Sequence, residues 1–480
     1  MAGVTATQEA RPLERETRRA RAWWPRAVSV AAVVLVCTVA LVPAYKLRQP
    51  DPYAYRASIA ALLDGRLVLT DAQYRRLDAE LRLVDDGWGS ATGVVQWTRA
   101  ASGGLVSEKN PGYPFWALPF AAAGAVRLAP VAALLIGCAG LWLAGRRWLG
   151  EWGGAFTVVL FCSSGTLVTM LHEAYMPTAT EASLAAGGAG LVLWALLGER
   201  GGRGPAAAGT AGFLLLSAAV LVRYTTAVVP AVLFATAVVW VLRRSTPLRA
   251  RWLALWGGAA AAGPALALAY DQLVFGGALR TGYTQGVTFS AGAVPRNLQI
   301  MPPALLVGMP TALLAAAGAA WLVTAALRRV RRPGARRDAA VGATLVAWWA
   351  AVWLTYLAYD WTTERRFSTD FPLTSRFYLP ALGALALLGA VPLVRLLSVR
   401  LLRPLAVVLP AALLAFGTGA AVYSISGDWL YGHGHDVRPV PGMPLPGAPD
   451  AGPGGPGGGP PGGAPGALPP PPAPPAAPAS

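Results

Sequence analysis

Apolar runs of about 20 residues recur along most of this 480-residue chain. A helix of that length crosses a hydrocarbon core of about 30 Å. Because a bilayer offers no water to pair backbone N–H and C=O groups, repeated runs of this kind leave few folds other than a helical bundle. The composition agrees, with 55% hydrophobic and 13% charged residues. The sequence therefore predicts an all-α polytopic membrane protein.

We predict about 11 transmembrane helices from these runs. The predicted spans are Ala27–Tyr45, Leu128–Gly145, Trp152–Leu171, Thr178–Leu197, Pro205–Val222, Thr225–Leu242, Trp252–Asp271, Met301–Leu327, Ala339–Tyr359, Phe377–Leu396 and Leu405–Tyr423. The first span is expected to stay as an anchor, because its apolar run is longer than that of a typical signal peptide and no clear small-residue cleavage site follows it.

Arginine clusters orient the predicted bundle. With the N-terminus inside and the sides alternating, every short basic turn faces the cytoplasm, as the positive-inside rule requires. These turns are Arg11 to Arg26, Arg146 and Arg147, Arg200 and Arg203, Arg243 to Arg251, Arg328 to Arg337, and Arg395 to Arg403. The formal charge of +17 then reflects topology and anionic membrane lipids, and no nucleic-acid partner is expected. We expect a multi-pass protein of the cell membrane with its C-terminal tail outside.

The polar segments divide the chain into five predicted parts. They are a basic cytoplasmic segment (1–26), the first transmembrane helix (27–45), an extracytoplasmic loop (46–112), a polytopic domain (113–424) and an extracytoplasmic tail (425–480). The tail is rich in Pro and Gly and is expected to be disordered. Within the loop, Pro52 to Gly65 and Asp71 to Asp86 show helical spacing, so we expect helices that lie along the membrane surface.

Asp51 follows the first span and stands between Pro50 and Pro52. A carboxylate fixed at the mouth of the bundle could accept a proton from an incoming hydroxyl group. Asp followed by Pro is also a common start of a helix, which makes Asp51 an equally good candidate for a helix cap. The residues alone leave both interpretations open.

Three further ionisable residues lie where the third span ends and the fourth begins. They are His172, Glu173 and Glu181. Ionisable groups at membrane depth are costly and are candidates for function. His172 and Glu173 could bind a divalent cation such as Mg²⁺ or Mn²⁺, although adjacent residues of a helix point in different directions.

Two arginines are placed where they could bind a phosphate group. Arg223 interrupts a long apolar stretch at an outer turn, and Arg376 stands at the outer start of the tenth span. A guanidinium group binds phosphate through two parallel hydrogen bonds. The alternative is that they extend to the membrane interface, which explains Arg296 and Arg365 well enough.

Several classes of function lack their sequence motifs. The chain has no Walker A pattern, no His-Glu-x-x-His and no Gly-x-Ser-x-Gly, so nucleotide-driven transport, zinc proteolysis and serine hydrolysis have no support. Cys37, Cys138 and Cys162 occur at unrelated spacings. They indicate neither a disulfide framework nor a zinc site.

Seven segments of the chain contain family-like motifs: QPDPYAYRASIAALLDGRLVLTDAQY, SEKNPGYPFWALPF, GRRWLGEWGGAF, MLHEAYMPTATEASLA, LVRYTTAVVP, YDQLVFGGALRTGY and SRFYLPALGALAL. In this order they resemble the GT-C superfamily of membrane glycosyltransferases. The resemblance is to the branch of protein O-mannosyltransferases and bacterial lipid A aminoarabinose transferases. Two departures stand out: Asp51 is followed by Pro52 where Asp-Glu is frequent, and Glu181 stands where Asp is common.

This resemblance implies an inverting transfer of a sugar from a polyprenyl-phosphate donor to a hydroxyl group of a lipid, glycan or protein acceptor outside the cell. Asp51 would be the general base, and Glu181 or Glu173 would assist the acceptor or a metal ion. The donor phosphate would be bound by Arg223, Arg376 and Tyr283.

Two other classes of function remain as alternatives. A transporter is disfavoured because the sequence shows neither repeated halves nor a pair of broken helices in matching positions. A non-catalytic protein of the cell envelope would tolerate replacement of Asp51 by Asn, whereas an enzyme would not.

Overall fold

The computed structural model describes residues 6–42, 50–81, 96–198, 202–243, 250–283, 289–328, 335–359 and 371–431. Its helices are α1 (Ala6–Leu41), α2 (Pro50–Leu63), α3 (Asp71–Leu81), α4 (Gly112–Ala122), α5 (Leu128–Leu149), α6 (Glu151–Cys162), α7 (Gly165–His172), α8 (Thr178–Leu196), α9 (Arg203–Val222), α10 (Val228–Leu242), α11 (Arg251–Phe275), α12 (Ala293–Gly308), α13 (Thr311–Leu327), α14 (Ala335–Leu357), α15 (Phe371–Ser375), α16 (Leu382–Ser398) and α17 (Arg403–Tyr431).

Short 3₁₀ turns cover Tyr224–Ala227, Arg376–Ala381 and Arg400–Leu402, and a two-stranded antiparallel hairpin joins β1 (Trp97–Arg99) to β2 (Leu105–Ser107). In the described part of the chain, nine helices are long and apolar enough to cross a membrane, or eleven if each of two bent helix pairs counts as one span. The all-α polytopic fold predicted from the apolar runs is confirmed.

Two predicted spans are bent rather than straight. The axes of α6 and α7 differ by 62°, and those of α12 and α13 by 102°. The two breaks contact each other: Ser163 Oγ lies 2.8 Å from Thr311 Oγ1, and Ser164 Oγ donates to the Gly308 carbonyl at 2.8 Å. Serine and threonine hydroxyls satisfy the backbone groups that a broken helix releases inside a membrane. The expectation of continuous helices at these two places was therefore wrong.

The ends of several elements differ from the sequence-based boundaries. α17 continues to Tyr431, beyond the predicted end of the last span at Tyr423. The predicted surface helix Asp71 to Asp86 is present as α3 up to Leu81, and its last part lies outside the described residues. Most of the predicted tail, from residue 432, is also outside them. The five-part division of the chain stays a prediction.

The described parts of the predicted extracytoplasmic loop pack together. α2, α3 and the hairpin share a small apolar cluster that contains Tyr53, Tyr74, Leu77 and Trp97. The rings of Tyr74 and Trp97 lie 5.1 Å apart between centroids. A packed cluster of this kind fixes α2, and with it Asp51, relative to α3 and the hairpin.

α8 and α16 form the centre of the bundle. In each, 89% of the most apolar segment is buried by other parts of the protein, against 22% for α11 and α17 at the periphery. The 3₁₀ turn that precedes α16 packs against α8. The charged residues Glu181 and Arg376 therefore lie at the same end of the two most enclosed helices.

Candidate active site

Charged side chains from five separate segments meet at this end of the bundle. Each segment is a helix end or a turn, where side chains can leave the helix packing and converge. The contributors are the first turn of α2 (Asp51), the segment after β2 (Glu108 and Lys109), the first turn of α8 (Glu181), the turn between α9 and α10 (Arg223) and the 3₁₀ turn before α16 (Arg376).

Asp51 is bound by three donors from distant parts of the sequence. Lys109 Nζ lies 3.1 Å from Asp51 Oδ1 and 3.2 Å from Glu108 Oε1. Gln96 Nε2 donates to Asp51 Oδ1 at 2.8 Å, and the Arg376 guanidinium lies 3.6 Å from Asp51 Oδ2. α2 begins at Pro50, so Asp51 lies in its first turn and its carboxylate has partners well outside that helix.

These partners fix the charge of Asp51. Burial alone would raise the pKa of its carboxyl group, but the cations of Lys109 and Arg376 outweigh burial and hold that pKa well below its usual range. Burial likewise would lower the pKa of Lys109, but the Asp51 carboxylate raises it above its usual range. Both groups are therefore ionised at physiological pH, and resting Asp51 is a weak base.

Gln96 is held in an unusual backbone conformation. Among the described residues other than glycine, it alone has a positive φ, of 56°. Its side chain binds Asp51, and its carbonyl oxygen accepts from the Glu108 N–H at 3.0 Å. Conformations of this kind cost of order 1–3 kcal/mol and persist where the surrounding contacts require them, often at functional sites.

A second ion pair lies deeper. Glu181 is completely buried, and its Oε2 lies 3.3 Å from Arg223 Nη1. Thr226 donates a hydrogen bond to Glu181 Oε1, and Arg223 Nη2 donates to Thr178 Oγ1 at 3.3 Å. A buried carboxylate with a cation and a hydroxyl partner holds Arg223 in one orientation.

The turn that carries Arg223 is fixed by its neighbours. Tyr224 donates its hydroxyl to Asp271 of α11 at 3.1 Å, and the Thr225 hydroxyl is hydrogen-bonded to Tyr356 of α14. With Thr226 bound to Glu181, this short turn has side-chain contacts with three different helices. Such a turn can present an arginine without much freedom of movement.

The ring of Phe377 lies close to the guanidinium groups of both Arg376 and Arg223. Its ring centroid lies 4.9 Å from the Arg376 guanidinium and 5.5 Å from that of Arg223. The rings of Tyr356 and Tyr359 pack against it at 5.4 and 5.3 Å. Because an aromatic face attracts cations, Phe377 allows two like charges to lie close together in a buried place.

The other predicted site residues are near the same cluster. Lys109 Nζ lies 5.0 Å from the ring centroid of Tyr283, whose phenol is partly exposed. Glu173 is buried and interacts electrostatically with Arg376. His172 is the last residue of α7 and is also buried.

Sequence reasoning missed several members of the cluster. Lys109, Glu108, Gln96, Phe377 and Thr226 were not singled out. One signal was available, because Lys109 is one of two lysines in a chain that otherwise uses arginine. The charge alone gave no sign of burial, since Lys109 stands in the polar loop.

Within the described part of the chain, the donor set does not fit a resident divalent cation. The described residues contain no group of three or more His, Cys, Asp and Glu side chains that could hold a metal ion. His172 and Glu173 therefore have no third ligand of these types among them. The carboxylates of Asp51 and Glu108 are bound by the Lys109 ammonium. No step of the proposed reaction below is assigned to a metal ion.

Neither a protein-family model nor a curated protein matches the chain. Among solved structures, the apo form of the oligosaccharyltransferase of Archaeoglobus fulgidus aligns with 84% of this chain at a TM-score of 0.54 and 11% identity. The same enzyme in complex with Zn and sulfate aligns with 83% of it at a TM-score of 0.50 and 12% identity. The chain has the GT-C fold.

This chain spans 56% and 53% of the length of those two structures. The fold expected from the sequence motifs is thereby confirmed, and membership of the GT-C superfamily itself stays a prediction. Membership of the branch of protein O-mannosyltransferases and aminoarabinose transferases stays a prediction.

Replacing Glu181 by Gln should destabilise the protein, because it leaves the partly buried Arg223 cation without its carboxylate. Breaking a buried ion pair costs about 3–5 kcal/mol. Thermal unfolding of the purified protein in detergent should show a lower midpoint, and the double replacement of Glu181 and Arg223 by Gln should recover part of the loss. Glu80→Gln is the control, because Glu80 pairs with Arg76 on an exposed helix face. If Glu181→Gln and Glu80→Gln lowered the unfolding midpoint equally, the assignment of Glu181 and Arg223 as a stabilising buried ion pair would be contradicted.

Proposed function

We propose that this protein transfers a sugar from a polyprenyl-phosphate donor to the hydroxyl group of an acceptor on the extracytoplasmic side of the membrane, with inversion at the anomeric carbon. One observation carries the proposal: the ion pairs of Asp51 with Lys109 and of Glu181 with Arg223 meet beside Arg376 at one end of a GT-C fold. Burying several charges in an apolar chain is costly, and such clusters are characteristic of functional sites.

The reaction is a single displacement. The acceptor oxygen attacks the anomeric carbon while the bond from that carbon to the phosphate oxygen breaks, and the bonding electrons leave with the polyprenyl phosphate. The hydroxyl proton passes to Asp51. A carboxylate of low pKa can accept this proton because the hydroxyl becomes strongly acidic as its oxygen bonds to carbon. In inverting glycosidases a carboxylate base acts on the face opposite the leaving group, and a phosphate leaving group needs no protonating acid in addition.

The two arginines stabilise the leaving group. Negative charge develops on the donor phosphate as the sugar leaves, and cations already in position stabilise that charge without reorganising. The guanidinium groups of Arg223 and Arg376 both lie against the ring of Phe377, and Tyr283 could add a hydroxyl donor beside Lys109. In this proposal Glu181 orients Arg223, and Glu173 assists the acceptor.

The comparisons support this proposal at a coarse level. The matched enzyme of Archaeoglobus fulgidus is an oligosaccharyltransferase, and one of its structures contains sulfate, a tetrahedral anion like phosphate. The motif resemblance favours a protein O-mannosyltransferase or aminoarabinose transferase type of reaction. The acceptor is a lipid, a glycan or a protein of the cell envelope.

A transporter is the alternative that a specific observation favours, because paired broken helices are common in transporters. Here the breaks are closely packed against each other. A Cβ atom added to Gly308 would lie 2.1 Å from Thr166 Oγ1, and that hydroxyl lies 2.6 Å from Ser375 Oγ. Such packing leaves no space for a cargo between these residues, whereas the charged cluster at the end of the bundle accounts better for an enzyme.

The proposed function predicts that the donor accumulates when the protein is absent. Lipid-linked sugars extracted from a deletion strain should contain an increased polyprenyl-phosphate sugar, and wild-type protein should restore the normal level. Arg99→Ala, which removes an exposed ion pair with Asp71, should restore it as well. An unchanged lipid pool, together with failure of the purified protein to consume polyprenyl-phosphate sugars, would refute the proposal.

The proposal also requires the outer loop to face outward. In a cysteine-free background, a membrane-impermeant maleimide added to whole cells should label Ser102→Cys, in the exposed turn of the hairpin, and should not label Ser398→Cys, which is exposed at the end of α16. Ser426→Cys is a better probe of the C-terminal side than Ser424→Cys, because Ser424 is buried. Labelling of Ser398→Cys in intact cells would show that the topology is opposite to the predicted one.

A further inference from the structure

A buried carboxylate, that of Glu108, and a largely buried one, that of Asp51, share one ammonium group at the candidate site. Lys109 Nζ lies 3.1 Å from Asp51 Oδ1 and 3.2 Å from Glu108 Oε1, and the exposed fractions of the three side chains are 8%, 16% and 5%. The Gln96 side-chain amide is hydrogen-bonded to Asp51. The ammonium therefore lies between two carboxylates, one of which also accepts a hydrogen bond from the Gln96 amide nitrogen, and we call these three side chains the carboxylate cage (Asp51, Glu108 and Gln96).

The cage has the chemistry of a cation site. Carboxylate and amide oxygens are the ligands that Mg²⁺, Mn²⁺ and Ca²⁺ prefer in proteins. Asp and Glu side chains are seldom buried unless a cation neutralises them. Here Lys109 supplies that charge on a covalent tether, and its own position is fixed by the Tyr283 ring at 5.0 Å and by the backbone hydrogen bond from Lys109 N to Ser107 Oγ at 3.2 Å.

A metal ion and the ammonium would exclude each other. Both need the same oxygens of Asp51 and Glu108, and two cations at such a distance repel strongly in a buried place. Asp51 Oδ2 is also within reach of Arg376, so both oxygens of that carboxylate face cations already. The Lys109 ammonium therefore already occupies the space between the two carboxylates of the cage.

We propose that the Lys109 ammonium takes the place of a divalent cation between Asp51 and Glu108, so that the wild-type cage binds no metal ion and becomes a divalent-cation site when Lys109 is removed. Binding of a metal ion to the cage does not depend on the proposed function, whereas the effect of that ion on sugar transfer rests on it.

Binding of Mn²⁺ to the purified full-length protein tests the proposal. After treatment with EDTA and its removal, Mn²⁺ is titrated into protein in nanodiscs, and free Mn²⁺ is measured by electron paramagnetic resonance. Wild-type protein should bind no Mn²⁺ that depends on Glu108. Lys109→Ala should unfold at a lower temperature, bind Mn²⁺ with Mg²⁺ as a competitor, and gain thermal stability from either ion.

Matched variants test whether Mn²⁺ binds to the cage or to other acidic groups. Lys109→Ala combined with Glu108→Gln should lose the acquired Mn²⁺ site. Arg99→Ala removes a cation from the exposed pair with Asp71 in the same loop and should gain none. Lys109→Gln serves in place of Lys109→Ala if the latter does not fold. The proposal is overturned if wild-type protein binds Mn²⁺ through Glu108, or if the folded Lys109 variants bind none.

Activity gives a second test. EDTA should leave wild-type transfer unchanged, while Lys109→Ala should lose about 10²–10³-fold in rate, as expected for loss of one electrostatic contact, and Mn²⁺ should restore part of it. Inhibition of wild-type transfer by EDTA, reversed by Mn²⁺, would also overturn the proposal. If wild-type protein transfers no sugar at all, the proposed function fails, and the Mn²⁺ titration still decides the role of the ammonium.

Discussion

Replacing Asp51 by Asn should lower the rate of sugar transfer by about 10²–10⁴-fold, the usual contribution of a general base. The amide has nearly the same shape as the carboxylate and cannot accept the proton of the acceptor hydroxyl. Lys109 and Arg376 also lose their shared counter-charge, so the variant should be less stable than the wild type. The measurement is a single-turnover rate with a polyprenyl-phosphate sugar, together with a thermal unfolding midpoint.

Two variants separate catalysis from stability. Asp51→Glu keeps the negative charge and should retain more stability than Asp51→Asn while still transferring slowly, because its carboxylate is displaced. Asp71→Asn removes an exposed carboxylate of the same loop and should transfer at the wild-type rate. A folded Asp51→Asn protein with activity within a few-fold of wild type would reduce Asp51 to a structural ion-pair partner.

The pH dependence follows from the depressed pKa of Asp51. Its folded-state pKa lies below its unfolded value, so the stability it contributes is present above the unfolded value and is lost as the pH falls through the folded one. Since a free Asp titrates near pH 3.9, about pH 5 to 8 should show no loss of stability or of kcat/KM through Asp51. Lys109→Gln should raise the pKa of Asp51, so that the loss of stability and of kcat/KM on acidification begins at a higher pH. An acid limb near neutrality in the wild type that Asp51→Glu shifts would contradict the charge state described here.

Hydrophobicity alone predicted most of the fold. The apolar runs predicted α5, α8, α9 and α16 near their observed positions, because a membrane leaves such runs little other than helix. The two bends were not predicted. Hydropathy averaged over a window does not reveal the bends at Ser163 and Met309. The bends depend on hydrogen bonds between residues far apart in sequence.

The candidate site was predictable only in part, for a related reason. Glu181, Arg223 and Arg376 stand out because a charge beside an apolar run is costly, and the structure brings them together. Lys109 and Gln96 lie in a polar loop, where a charge is ordinary, and only the folded loop reveals that Lys109 is buried. Their roles depend on tertiary contacts that leave no local pattern.

Phe377 shows a different limit. An aromatic residue next to an apolar helix is expected in the core, and the sequence does not indicate that two guanidinium groups lie against its ring. The ring nonetheless contacts both arginines that we propose as phosphate ligands. An aromatic core residue can therefore contribute to a charged site without carrying any charge itself.

Replacing Arg376 by Ala should raise the KM for the polyprenyl-phosphate donor and lower the rate of transfer by about 10²–10³-fold, as for removal of one preorganised electrostatic donor. The guanidinium is buried beside Asp51 and Phe377, so Ala removes both a phosphate contact and a partner of the base. The KM for the acceptor should change much less. Arg280→Ala replaces an exposed arginine of the segment after α11, is the matched control and should leave both constants unchanged.

Arg376→Lys distinguishes charge from geometry. Lysine keeps the positive charge but loses the planar group that binds two phosphate oxygens and stacks on Phe377, so it should recover only part of the activity. Full recovery would mean that charge alone is required. If the donor KM stays at its wild-type value in Arg376→Ala, then Arg376 serves only to hold Asp51, and the phosphate must be bound elsewhere. Arg223 is the next candidate, because its guanidinium lies against the same Phe377 ring and Glu181 already fixes its orientation.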